Sequence, residues 1–301
     1  MAWYWTERKS KRMIDLLTKI VGEEKIENTL AKLNNCYDID DFMNNELNIL
    51  GSEVFECSNI GAGGFGTIFK CEMKCDPNIK IAVKRVSGTC SDPKNLNEIE
   101  ILKRFDNSRI VKYYGSYSDS EHCYILTNYI DGVNLYEVEN KFTEDQTKNI
   151  IKQLIEIVKI IHDKNVIHRD IKLENILLTK TGEIVLIDFG SAADISNGPT
   201  TGLVGTCDYF SPEMVTGKTY GKDVDVWQIG VVAYELLVGH PPFNDPNIEG
   251  TKYRIKTSQY SSLRFVPISE DAKDFIRSIL RRQDKRATID DLLESSWLKD
   301  V

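Results

Sequence analysis

The sequence is poor in several things, and each shortage removes a class of function. No apolar run approaches the roughly 20 residues that a membrane-spanning helix needs. The stretch "MAWYWTERKSKRMIDLL" has no apolar core followed by a small-residue cleavage site, so it does not read as a secretory signal. Basic residues are in the minority, 38 Lys and Arg against 46 Asp and Glu, for a net charge of -8. That balance gives no general electrostatic case for nucleic acid or for an anionic membrane, although a local basic groove stays open. The seven cysteines are scattered, and Cys71 and Cys75 are the nearest neighbours. No His or Cys cluster completes a zinc site. The expectation is reduced thiols in a cytoplasmic or nuclear protein. Internal repeats and low-complexity segments are missing too.

What is there is an ordinary globular composition, 41% hydrophobic and 28% charged over 301 residues, enough for one large domain or two lobes. Residues 1–50 stand apart. Met13, Ile14, Leu17, Ile20 and Val21, then Ile26, Leu30 and Leu33, fall at helical spacing. One or two amphipathic helices are expected, followed by an acidic stretch around "YDIDDF". They read as an extension packed on the main domain, or as a docking helix for a regulatory partner.

From 54 to 130 the pattern is short strands: "VFECSNIG", "TIFKCEM", "IKIAVKRV", "IVKYYGSYSD" and "CYILTNYI". One helix, "SDPKNLNEIEILKRF", interrupts them, with Asp92 suited to cap it and Pro93 to its first position. From 143 onward the chain turns helical. Thr143 and Gln146 form a capping-box pattern, and "DVWQIGVVAYELLVG" is apolar nearly all round, which predicts a buried helix. Between these helices lie two short strands, "NILLT" and "EIVLID", with a turn at Thr181-Gly182. A small sheet lobe and a larger helical lobe, joined near Asn128 to Leu135, follow from this order.

"NIGAGGFGTIFK" holds four glycines within six positions, where the backbone must approach something closely. A dinucleotide fold would open a helix here, but "TIFKCEM" alternates like a strand. A Walker A loop is excluded because no G-K-[ST] follows. A plain hairpin and a hairpin laid over phosphates both fit. Lys84 in "IAVKRV" lies eighteen residues past Gly66 on a strand, flanked by Ile81, Val83 and Val86. It is either a solvated edge residue or one half of an ion pair. On a helical wheel through Leu96, Ile99, Ile101, Leu102 and Phe105, Glu98 falls about 35° from the apolar centre and Glu100 on the far side. A buried-face acid needs a cation, so Glu98 is the expected partner of Lys84.

"VIHRDIKLENILL" and "VLIDFGSA" then complete an order. The glycine loop, Lys84, Glu98, His168-Arg169-Asp170, Asn175 and Asp188-Phe189-Gly190 resemble the signature of the eukaryotic protein kinases. "GTCDYFSPE" resembles the end of an activation segment, "DVDVWQIG" the start of the long buried helix, and Arg286 the arginine that pairs with Glu213. The resemblance spans about residues 54–298. It implies an α+β fold of two lobes, an antiparallel-sheet N-lobe with one helix (about 51–130) and a mainly helical C-lobe (about 131–301), with 1–50 as an N-terminal helical extension.

The resemblance further implies transfer of the γ-phosphoryl of ATP to a protein hydroxyl. Asp170 would accept or orient the hydroxyl proton, and Lys172 would approach the γ-phosphate, as in the serine/threonine class. Asn175 and Asp188 would hold Mg²⁺. Lys84, fixed by Glu98, would hold the α- and β-phosphates, under the loop of Ile60, Gly61, Ala62, Gly63, Gly64, Phe65 and Gly66. Ile60, Ile68 and Ala82 would line the adenine site, Thr127 the space behind it, the backbone of Asn128 and Ile130 its edge, and Asn134 the ribose. His168 is expected to pack beneath the catalytic loop, not to act as a base.

Thr206 would orient Asp170 and Lys172. Thr200 and Thr201 are candidate phosphosites able to pair with Arg169. However, Thr201 stands one residue further from Thr206 than in the Aurora-like and cyclic-AMP-dependent kinases whose segment "GTCDY" resembles. The segment also carries Asn197, Gly198 and Pro199 in place of a basic run. "SPE" departs from the family's A-P-E. Cys207 lies near the expected substrate groove, and Glu174 hints at a basic residue upstream of the target hydroxyl. The rivals are a pseudokinase scaffold, against which every chemical residue is present, and a small-molecule kinase, against which "GTCDYFSPE" speaks.

Overall fold

The computed structural model describes residues 2–36, 49–51, 54–64, 66–139 and 142–299. Contacts divide the chain into two units, Met1–Asp106 with Val111–Ile130, and Asn107–Ile110 with Asp131–Val301.

The first unit opens with two helices, α1 (Ala2–Val21) and α2 (Glu23–Cys36). Five antiparallel strands follow: β1 (Phe55–Gly63), β2 (Gly66–Met73), β3 (Asp76–Ser87), β4 (Tyr113–Ser118) and β5 (His122–Asn128), in the order β1-β2-β3-β5-β4. Alternation along a strand sorts side chains between two faces. Ile81 and Val83 of β3 share one face with Cys71, Met73, Leu126 and Tyr124, and the helical hairpin packs there. Met13, Leu16, Leu17 and Leu33 join these residues in a single buried core. Leu16, which the spacing argument did not single out, is buried, whereas Ile14 is exposed. Lys19 donates to the Tyr114 carbonyl at 3.3 Å, and Lys32 pairs with Asp76 at 2.6 Å. The acidic "YDIDDF" stretch lies outside the described residues.

Helix α3 (Pro93–Leu102) carries Pro93 in its first turn. Asp92 sits at the N-cap, but its carboxylate does not bond the helix: it accepts the backbone N–H (2.9 Å) and hydroxyl (3.3 Å) of Thr89. The turn before the helix wins that carboxylate. Asn95, buried, ties α3 to the end of β3 through the carbonyls of Ser87 and Thr89, both at 3.0 Å.

The expectation of uniformly reduced thiols is corrected here. Cys57 is bonded to Cys71 and Cys90 to Cys123. Cys57 and Cys71 are direct partners across β1 and β2, with Cα atoms 4.1 Å apart. Sequence distance hid this pairing, because Cys75 is nearer to Cys71 along the chain but not across the sheet. Among the described residues, Cys75 and Cys207 are not in a disulfide.

The second unit holds α4 (Glu144–Asp163), α5 (Pro212–Val215), α6 (Asp223–Val238), α7 (Ile248–Thr257), α8 (Glu270–Ile279) and α9 (Ile289–Leu293). The expected capping box of Thr143 and Gln146 starts α4. Helix α6 is buried on nearly every side, as its apolar composition requires. Short strands β6 (Gly132–Asn134), β8 (Ile176–Thr179) and β9 (Ile184–Leu186) form one antiparallel sheet. Strands β7 (Val166–Ile167) and β10 (Ala193–Asp194) form a two-stranded ladder. The architecture is α+β. No described helix is long and apolar enough to cross a membrane.

Candidate active site

In the second unit, the loop between β7 and β8 carries His168 to Asn175, and α6 fixes its backbone from below. Asp225, fully buried, accepts the backbone N–H of His168 at 2.9 Å and of Arg169 at 2.8 Å, and the His162 ring at 2.9 Å. Burial alone would raise its pKa. The hydrogen bond and charge of His162, with the two backbone donors, outweigh burial and hold the carboxyl below its usual range. Gln228, one turn on, accepts from Ile171 N–H and donates to the Arg169 carbonyl, both at 2.9 Å. Sequence reasoning assigned no role to either residue. A signal was present: two polar side chains three apart in the buried part of a mostly apolar helix must point at something polar.

On this frame Asp170 is 1% exposed. Its Oδ1 accepts the Thr206 hydroxyl at 2.8 Å, and its Oδ2 meets Lys172 Nζ and Asn175 Nδ2, each at 3.2 Å. Lys172 also donates to Thr206 Oγ1 at 2.7 Å. The carboxylate is thus held by two neutral donors and one cation, which fix its direction.

Asn175 spends its amide nitrogen on Asp170, and its backbone carbonyl accepts from Ile187, next to Asp188. Asp188 takes a left-handed backbone, φ 60°, and accepts from Gly190 N–H. A non-glycine residue in that region carries strain and recurs at functional sites. Among the described residues no group of three or more His, Cys, Asp or Glu gathers to hold a metal. Two hard oxygen donors, the Asp188 carboxylate and the Asn175 amide oxygen, nonetheless fit Mg²⁺, which keeps water and phosphate oxygens in its other positions. His168 is fully buried, bonds the Ile187 carbonyl at 3.1 Å and meets the Phe189 ring edge-on at 4.9 Å. It packs beneath the loop and has no route to solvent.

Further along, Glu213 and Arg286 form a two-pronged buried pair, at 2.5 and 3.1 Å, with the guanidinium over Trp227. Gly205 has to be glycine: at φ +107° a Cβ there would lie 2.5 Å from the Arg169 carbonyl oxygen. Nearby stand three carboxylates. Glu174 has a buried oxygen without a hydrogen-bond partner. Burial, reinforced by the charges of Glu174 and Asp208, raises Glu235 to about 7 against the lowering effect of the Tyr209 hydroxyl, and burial raises Asp208. Burial likewise raises Cys207, the opposite of what a reactive thiolate needs.

In the first unit β1 and β2 turn at Gly63 and Gly66. Gly66 is dictated by packing, since a Cβ would lie 2.3 Å from the Arg85 carbonyl oxygen. Around Gly61, Gly63 and Gly64 there is only open space. Nothing in the described fold demands glycine there, and Ile60 beside them is 51% exposed. Phe65 lies outside the described residues. Lys84 Nζ meets Glu98 at 2.7 Å with both side chains nearly buried, while Glu100 pairs with Lys103 at the surface. Strand pairing sets Ile68 beside Lys84, and Ala82 beside Thr127. These four share the face of the sheet opposite Ile81 and Val83. Asn128 gives its backbone N–H to the Lys112 carbonyl at 3.0 Å, so only its carbonyl could serve a ligand. Ile130 ends this unit, half-buried. In the second unit, the side-chain oxygen of Asn134 is turned back onto Glu137 N–H at 2.9 Å, which leaves its amide nitrogen for a sugar hydroxyl.

Comparison with known proteins gives this arrangement a context. Residues 55–298 match the family described as the protein kinase domain. A calcium/calmodulin-dependent protein kinase type 1 of Macrobrachium nipponense is 35% identical over 251 residues, covering 79% of this chain and 73% of that protein. An Aurora kinase of Schizosaccharomyces pombe is 37% identical over 249 residues, covering 79% and 69%. A probable serine/threonine-protein kinase KIN1 homolog of Enterocytozoon bieneusi is 29% identical over 308 residues, covering 98% of this chain and 50% of its own length. With the family match running over most of its length, the chain belongs to the eukaryotic serine/threonine protein kinase superfamily.

Proposed function

We propose that the chain is an active serine/threonine kinase that moves the γ-phosphoryl of ATP to a protein hydroxyl. One observation carries this reading: Asp170 is buried and aimed by Thr206, Lys172 and Asn175, on a loop clamped from below by Asp225 and Gln228. A scaffold that only bound nucleotide would have no use for such a carboxylate. Phosphoryl transfer needs mostly positioning and charge stabilisation. Asp170 accepts the proton of the attacking hydroxyl, and Lys172 neutralises charge on the transferred group. Asp188 and Asn175 would hold Mg²⁺, which would offset charge on the phosphates of the ATP that supplies the phosphoryl group. Lys84, oriented by Glu98, holds the α- and β-phosphates. In the first unit, Gly61, Ala62, Gly63, Gly64 and Gly66 would offer backbone N–H groups to phosphate, and Ile60, Ile68, Ala82, Thr127, Asn128 and Ile130 would receive the base; in the second unit, Asn134 would meet the ribose. Glu174, Asp208 and Glu235, where the basic neighbour acting on Glu235 is His240, favour substrates that bring an arginine or lysine near the hydroxyl.

The test is transfer of labelled γ-phosphate to a mixed library of serine, threonine and tyrosine peptides with Mg²⁺. Wild type should label serine or threonine peptides. Asp170→Asn and Asp188→Ala should each lose about 10²–10³-fold or more, with ATP binding retained in Asp170→Asn. Normal transfer by Asp170→Asn would sink the assignment of roles, and no transfer by wild type in any phosphorylation state would favour the scaffold.

A further inference from the structure

The segment from Asp188 to Glu213 is tied to its surroundings by hydrogen bonds of its own residues. At its start, β10 pairs with β7, and Ile195 donates to the Asn165 carbonyl at 2.8 Å. At its end, Thr206 bonds Asp170 and Glu213 bonds Arg286. The middle is where Thr200 and Thr201 sit, and there Tyr220 does the holding. Its backbone exchanges two hydrogen bonds with Thr200, at 2.9 and 3.0 Å. Its side chain is 1% exposed, and its hydroxyl donates to the Gly202 carbonyl at 2.8 Å. That hydroxyl also accepts from Arg169 Nη1 at 3.4 Å. Two further Arg169 donors go to carbonyls, Nε to Ser191 at 2.6 Å and Nη2 to Ala192 at 3.3 Å.

Arginine offers only donors and a peptide carbonyl only accepts. A group that links one to the other must do both. A phenol can, and a phosphate dianion, an acceptor only, cannot. We propose that Tyr220 is the positioning residue of this segment, a built-in hydroxyl relay from Arg169 to Gly202 that sets the segment for substrate and makes phosphorylation of Thr200 or Thr201 unnecessary for activity. The inference rests on the kinase reading above and adds its mode of control: the enzyme is active as translated.

The experiment compares phosphatase-treated wild type, shown phosphate-free by intact mass, with Thr200→Ala/Thr201→Ala and Tyr220→Phe. Peptide phosphorylation and amide hydrogen exchange at Thr200 are followed together. The phosphate-free enzyme and the double alanine variant should transfer within about threefold of untreated enzyme. Loss of one relay hydrogen bond in Tyr220→Phe should raise the peptide KM roughly tenfold and speed Thr200 exchange, with ATP KM and melting temperature little changed. A variant damaged only in general packing would shift the melting temperature and both KM values together. Loss of transfer by more than tenfold in both the phosphatase-treated enzyme and the double alanine variant would overturn the inference and leave the kinase reading standing. Fast exchange at Thr200 in phosphate-free wild type would overturn it whether or not transfer is seen. Absence of transfer in every form, with Thr200 protected, would instead bring down the kinase reading while the held segment stood.

Discussion

Glu235 shows how a single side chain couples chemistry to conditions. Its carboxyl is pushed up to about 7 from its ordinary 4.5, chiefly because burial disfavours its charge and two neighbouring acids add to that. A folded pKa above the unfolded one means that the native state binds the proton more tightly. The associated stability is complete below pH about 4.5 and is lost as pH rises toward 7. Melting temperatures measured between those limits should therefore fall more steeply for wild type than for Glu235→Gln, and equal slopes would contradict the assignment. Legibility at this scale divided along a physical line. Asp170, Lys172, Asn175 and Asp188 could be named as candidates because they sit in short motifs whose order is itself a signal. Asp225 and Gln228 were not assigned: two polar side chains in an apolar helix signal a polar partner, but their partner is the backbone of a loop more than fifty residues earlier, which the local pattern does not name. The Asp92 carboxylate was misassigned for a smaller reason: Thr89 competes for it and lies closer.

At the scale of elements, β-branched runs and glycine turns located all five strands of the first sheet, and a capping box located the start of α4. Which face of the sheet would be covered, and by what, was not legible, since it depends on register and on a helical hairpin far away in sequence. The structure spends Leu17 and Leu33, both 0% exposed, on Ile81 and Val83. The hairpin thus completes the hydrophobic core of its unit. Leu17→Ala should cost about 2–5 kcal/mol in urea unfolding, and Ile14→Ala, on the exposed side, within about 0.5 kcal/mol. Equal small effects from both would mean that the hairpin is only loosely applied.

For the molecule as a whole, the two units differ in how they are secured. All four bridged cysteines, Cys57, Cys71, Cys90 and Cys123, belong to the first unit, and the second unit contains only free Cys207. Cross-links limit the unfolded ensemble, by about 2–4 kcal/mol each in typical cases, and here that restraint reaches one unit alone. Alkylation in denaturant should modify four more cysteines with reductant than without it, read as four extra adducts in the intact mass. Alkylation of all seven without reductant would show the bridges to be absent.

The packing of the hairpin against the sheet also sets a timetable. Leu33 shares a core with Leu126, about 90 residues later in the chain. A ribosome working at roughly 5–20 residues per second needs on the order of 5–20 seconds to cover that distance. Throughout that interval the apolar stripe of the two helices has no sheet to rest on. The newly made chain must shield it by pairing the helices with each other or with a chaperone, and translation speed through the five strands governs how long that exposure lasts.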